Sequence, residues 1–101
     1  MKEIEIKKTS VKNTKKGMDT REFLDYSDFI KACVNHLPKN GFSTDDVRKR
    51  TRIIEALEAQ KDGKINLEDA DLIILKDCIK TMQWGFMHKE IIQFVDYIEK
   101  C

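Results

Sequence analysis

The spacing closest to a binding motif lies between Glu58 and Asp69. With Gly63 at the turn position of a calcium loop, Glu58, Gln60, Asp62, Asn66 and Asp69 fall near the ligand positions. A hard cation held in such a loop needs several carboxylates and a bidentate Glu at the end. Gln60 is neutral, Asp69 is one methylene short, and no second loop accompanies this one, so the stretch reads as a capped turn between helices. Cys33 and His36 lie three apart on one helical face and could approach a zinc set with Cys78 or His88. The close cysteine pairs that make such a set specific are missing. Cys33 and Cys78 both fall in apolar stripes, where a free thiol behaves as a small core residue. Cys-His nucleophilic catalysis needs a polarising environment and an orienting third group, and neither can be named. With no acid–base pair or nucleophile in evidence, the chain reads as a non-enzyme without catalytic residues, metal or cofactor.

Two groups of residues carry chemistry of a different kind, that of docking. Basic residues cluster at Lys7, Lys8, Lys12, Lys15 and Lys16, and again at Arg48, Lys49, Arg50 and Arg52. Cations near a helix N-terminus oppose its dipole. The second cluster is therefore either a solvated face bridged to Glu55, Asp69 or Asp71, or a patch for an anion or a partner. Trp84, Phe86, Met87, Phe94 and Tyr97 crowd into fourteen residues. Aromatics and Met are enriched in binding hot spots, and they also close small cores. Of these, Trp84, Phe86 and Met87 are the best candidates for exposure. The candidate partner-binding residues are thus Arg48, Lys49, Arg52, Trp84, Phe86 and Met87.

Composition limits the alternatives. The chain has 101 residues, enough for one domain with a modest core. A net charge of +1 gives no whole-molecule attraction to nucleic acid or anionic lipid. A basic loop without interleaved aromatics is a weak RNA signal. The unit formed by the two middle helices has too long a linker, and too acidic a second helix, for a helix-turn-helix. The longest apolar run, Leu72 to Leu75, is far too short to span a bilayer. Three cysteines, an odd count, and a first segment MKEIEIKK without an apolar stretch point to a cytoplasmic protein with reduced thiols.

These residues must be positioned by a chain poor in breakers, with one Pro and four Gly. Residues 2–7 alternate, with Ile4 and Ile6 on one side, and predict a short strand. Residues 8–19 are polar and basic and predict a loop. Residues 20–26 alternate weakly and can pair with the first strand as a hairpin or lead into a helix. Ser27 predicts the cap of a helix over 28–37, with Phe29, Ile30, Cys33, Val34 and Leu37 inward. Ser43 and Asp46 predict a capping box on a helix reaching about Gln60, with Val47, Ile53, Ile54 and Leu57 inward. After the Asp62-Gly63 turn, Asn66 predicts the cap of a third helix. That helix is apolar over more than one stripe and is expected to be the most buried. A last helix over 88–99 is expected to turn Ile91, Ile92, Val95 and Ile98 inward, with Phe94 and Tyr97 on its flank. The fold class is α+β, mostly α, in a single domain over 1–101. Residues 1–26 form a strand or β-hairpin and a basic loop, packed on a cluster of about four helices over 27–101.

From Tyr26 onward the pattern resembles a family of small proteins encoded by tailed bacteriophages and prophages. It is carried by Phe29-Ile30, Gly41-Phe42-Ser43, Val47-Arg48-Lys49-Arg50, Ile53-Ile54 and Ala56-Leu57. It continues through Gly63, Leu67-Glu68-Asp69-Ala70-Asp71, Leu75-Lys76, Trp84 and Ile91-Ile92. The resemblance implies a role in phage assembly or host takeover and supplies no catalytic residue. The resulting expectation is a protein–protein interaction module, acting as an assembly factor, adaptor or host-factor modulator. Its partners are itself, as a homo-oligomer, and another protein, with no membrane. The alternative is a nucleic-acid-associated regulator using the basic clusters at 7–16 and 48–52.

Overall fold

In the computed structural model, residues 1–14, 17 and 20–101 are described. Lys15 and Lys16 of the basic loop, with Met18 and Asp19, lie outside them. The chain runs β1 (Lys2–Glu5), β2 (Lys8–Lys12), β3 (Phe23–Asp25), α1 (Tyr26–Asn35), α2 (Thr44–Glu58), β4 (Lys64–Leu67), α3 (Asp69–Thr81) and α4 (Lys89–Glu99). It is an α+β fold, mostly α, with short strands packed on four helices.

The N-terminal strands pair, but not as one hairpin. β1 joins β4 antiparallel, with Ile4 opposite Ile65 and Lys2 opposite Leu67. β2 joins β3 antiparallel, with Lys8 opposite Asp25 and a register shift before Lys12 meets Phe23. Residues 8–12, expected as loop, are therefore a strand, in which Thr9 and Val11 are buried and Lys8, Ser10 and Lys12 face out. Its polar composition conceals a period of two, because only Val11 is strongly apolar. The strand β4 is the other addition. Lys64-Ile65-Asn66-Leu67 alternates, with Ile65 and Leu67 inside, so Asn66 occupies an outward strand position and caps nothing. Asp62 and Gly63 both take positive φ, 55° and 71°. The Lys61 and Lys64 backbones exchange hydrogen bonds of 3.1 and 3.0 Å across them. This is the two-residue turn that Asp-Gly favours in hairpins, and the Ile6 amide donates to the Gly63 carbonyl at 2.7 Å to dock the N-terminal segment beside it.

The helices start where side chains satisfy their first amides. At α2 Ser43 and Asp46 form the expected reciprocal box, at 3.1 Å in both directions. At α1 the cap is Asp25, two residues before the expected Ser27. Its carboxylate accepts from the Ser27 and Asp28 amides, and Asp28 accepts from the Asp25 amide at 2.9 Å. A carboxylate at this position gains from the helix dipole as well as from the hydrogen bonds. Arg21 then clamps Asp28 at 2.9 Å. The helix α3 begins at Asp69 after Glu68, without a side-chain cap bond.

The core is one cluster drawn from all four helices and from β1, β2 and β4. Ile4, Ile30, Cys33, Ile53, Leu75, Phe94 and Ile98 are fully enclosed. The most buried helix is α1, with seven of its ten residues buried, rather than α3, which buries Asp71, Leu72, Leu75, Cys78 and Ile79 and turns Ile73 to solvent. In α4 the inward residues are Ile91, Phe94 and Ile98, so Phe94 is core and Ile92 is 61% exposed. Leu37 and Val47, expected inward, are exposed. Leu37 lies beyond the end of α1, and Val47 stands in the first turn of α2, before that helix meets the core at Ile53. Among the described residues no helix is long and apolar enough to cross a membrane.

Candidate interaction surfaces

The first half of α2 displays the basic cluster, and the surrounding elements use most of it. Lys49 Nζ lies 2.8 Å from Asp45 Oδ2, one turn earlier, and this hydrogen bond raises the lysine pKa. Arg50 reaches back to the end of α1. Its Nη1 donates to the Val34 carbonyl at 2.7 Å and to the His36 carbonyl at 3.4 Å. The guanidinium also stands 5.0 Å over the Phe42 ring. The last turn of α1 contains no basic residue, so Arg50 supplies from α2 the cation that helix C-terminal carbonyls favour. Arg52 Nε donates to Asp71 Oδ1 at 3.0 Å, tying α2 to α3 across a carboxylate that is 7% exposed. Of the four cations, Arg48 is exposed and, among the described residues, makes no short ion pair. The bridge to Asp71 was one of those anticipated. The role of Arg50 was hidden, because its acceptors are backbone carbonyls that no residue type announces.

Between the end of α1, the start of α2 and the end of α3 lies an open groove of about 760 Å³. Leu37, Lys39, Lys49, Ile74 and Asp77 line it, with Cys78 at its base. Cys33 and Cys78 are both buried. Burial pushes the Cys33 thiol up to about 12 and raises that of Cys78 as well. Such thiols are poor nucleophiles and poor metal ligands. Among the described residues no three His, Cys, Asp or Glu side chains stand together as a metal set. In the calcium-like stretch the Asp62-Gly63 hairpin sends Asn66 into a strand and Asp69 onto α3, which disperses the would-be ligands.

The aromatic segment forms the corner between α3 and α4. Trp84 is half-buried and packs edge-on against Phe29 and Phe94, with centroids at 5.8 and 6.3 Å. Phe86 packs on Trp84 at 6.4 Å and on Phe29 at 6.5 Å, yet remains 44% exposed. Met87 touches little and is 98% exposed. The three candidates thus grade from core, through rim, to solvent. The rings of Phe29 and Phe94 are themselves edge-on at 5.4 Å and buried, so the corner rests on aromatic side chains of the core.

Beside this corner stands a polar tie that sequence reasoning missed. Glu90 Oε2 accepts from the Ser10 amide at 2.8 Å and from the Ser10 hydroxyl at 2.7 Å, joining the outer edge of β2 to the first turn of α4. His88 caps α4, its Nδ1 accepting from the Glu90 amide at 3.2 Å. Farther along α4, the Tyr97 hydroxyl accepts from the Glu5 amide at 2.8 Å, and Lys7 Nζ lies 4.3 Å from the centre of its ring. These partners are 80 and 92 residues apart, and no local pattern could have paired them. The chain matches no family model, no curated protein and no solved structure.

Proposed function

We propose that this chain is a non-enzymatic protein–protein interaction module, phage-encoded, acting as an assembly factor, adaptor or host-factor modulator. The observation that carries the reading is the Phe86-Met87 corner. A fully exposed methionine next to a half-exposed phenylalanine, held on aromatic side chains of the core, has the composition and pre-organisation of a hot spot. Met adapts to irregular partner surfaces, and the packed Trp84 and Phe29 beneath it limit the entropy lost on docking. The simplest partner is a second copy in a two-fold dimer, a closed arrangement in which the same patch serves both protomers.

Light scattering on a reduced sample at micromolar concentration tests self-association. The expected mass is twice the 11.9 kDa of one chain. Met87→Asp should return it to a monomer with its helical circular dichroism intact, since Met87 supports nothing inside the fold. A monomer in the unaltered protein would refute self-association and leave the corner to a different protein. A dimer indifferent to Met87→Asp and Phe86→Ala would move the interface elsewhere.

A further inference from the structure

The cap of α4 and its tie to β2 meet at one carboxylate oxygen. His88 Nδ1 accepts the Glu90 amide at 3.2 Å, and the same nitrogen stands 3.7 Å from Glu90 Oε2. That oxygen is the one holding both the amide and the hydroxyl of Ser10. A ring nitrogen accepts a hydrogen bond only while it is unprotonated, so the cap requires neutral His88 with its proton on Nε2. We propose that His88, Glu90 and Ser10 form a proton-operated latch between α4 and β2, closed when His88 is neutral and loosened when it is protonated.

The chemistry of opening follows from the positions. A proton on Nδ1 turns the acceptor into a donor. The Glu90 amide loses its partner, and the imidazolium is drawn to Glu90 Oε2, in competition with Ser10. Positive charge at the first turn also opposes the helix dipole. The surrounding charges set the balance. The charged groups on this side are Glu90 in the first turn of α4, Lys89 next in sequence, and Lys8 and Lys12 on the same outward face of β2 as Ser10. Burial, then the charge of Glu90 and more weakly Tyr97 and Glu5, raises the pKa of Tyr26, packed beneath, and keeps its phenol protonated. Glu90 itself stays ionised throughout, because the Ser10 hydrogen bonds hold its carboxyl below the usual glutamate range. The switch therefore belongs to the imidazole, the side chain whose charge changes between pH 5 and 8. Its consequence is local. The residue next to His88 is Met87, so a loosened cap frees the backbone that presents the exposed corner. The latch does not depend on the corner being a docking site.

Nuclear magnetic resonance on the full chain tests it. The His88 ring and the Ser10 and Glu90 amides are followed from pH 8 to pH 5. Both amides should move with the midpoint of the His88 ring. Their hydrogen-exchange protection, corrected for intrinsic pH dependence, should fall by about 2- to 10-fold, the worth of one hydrogen bond. In His88→Asn the side-chain oxygen still caps but does not titrate, so both amides should stay fixed across the range while the fold is kept. Amides that ignore the His88 midpoint would overturn the latch. So would a transition that persists in His88→Asn, which would assign it to another group such as His36.

Discussion

At the scale of single residues, the molecule spends its charged side chains on joining elements. Arg50 closes the end of α1, Arg52 fastens α2 to α3, and Glu90 fastens α4 to β2. The last of these has a pH signature apart from that of His88. The Ser10 hydroxyl first, and its amide second, hold the Glu90 carboxyl below its ordinary value. A carboxyl depressed in the folded state contributes stability that is fully present above its unfolded value, about 4.3. That contribution is lost as pH falls through the folded value. Glu90→Gln should therefore destabilise the fold at neutral pH by no more than about 1 kcal/mol, because solvent screens a charge so near the surface. Urea denaturation should show the gap between variant and parent closing below about pH 4. A gap that stays constant in acid would mean that the charge of Glu90 contributes nothing to the tie.

At the scale of elements, α3 offers a direct comparison of its two faces. Leu75 is fully enclosed, whereas Ile73 faces solvent. Leu75→Ala should cost about 2–5 kcal/mol through lost transfer energy and a residual cavity, and Ile73→Ala no more than about 0.5 kcal/mol. Chemical denaturation of the two variants checks this, and equal shifts would mean that α3 is packed on both faces. Such one-sidedness could not be read from Leu72-Ile73-Ile74-Leu75, because a continuous apolar run has no phase. The capping box at Ser43, by contrast, was legible, since its chemistry lies within four residues. The four helices and the strand at Ile4 were legible for the same reason. The cap at Asp25 was masked by an equally good candidate at Ser27, and β4 by the cap-like Asn66 inside it. The pairing of β1 with β4 depends on residues about sixty positions apart, which leave no local trace. In the candidate site, the crowding of Trp84, Phe86, Met87, Phe94 and Tyr97 into fourteen residues pointed to exposure at Phe86 and Met87, whereas Trp84 is half-buried. The engagement of Lys49, Arg50 and Arg52 within the fold could be anticipated only in part.

At the scale of the whole molecule, the distribution of charge bears on the nucleic-acid reading. Nineteen cations face eighteen carboxylates, and the radius of gyration is 13.3 Å, close to the roughly 13 Å of a compact chain of 100 residues. The net charge of a small, compact chain is therefore only +1, which gives a polyanion no whole-molecule attraction. Affinity for a nucleic-acid backbone comes from releasing counterions, and its logarithm falls with that of salt at about 0.9 per phosphate contacted. Lys49, Arg50 and Arg52 are already engaged within the protein, and to offer them to phosphates would undo the end of α1 and the clamp between α2 and α3. Among the described residues of the two basic clusters, that leaves Arg48, with Lys8 and Lys12 on the outer face of β2, and Lys7 over the Tyr97 ring. The expected outcome is therefore binding weaker than micromolar at about 0.15 M salt, with a log–log slope no steeper than about 3. Fluorescence anisotropy with labelled duplex and single-stranded oligonucleotides, over roughly 50 to 200 mM salt, measures both quantities. Submicromolar binding at moderate salt with a slope of about 5 or more would require cations beyond these and would establish the regulator reading in place of the interaction module. If that occurred, Arg48→Ala should lower the slope by about one unit, whereas Arg52→Ala should also weaken the fold, because it leaves the buried Asp71 without its partner.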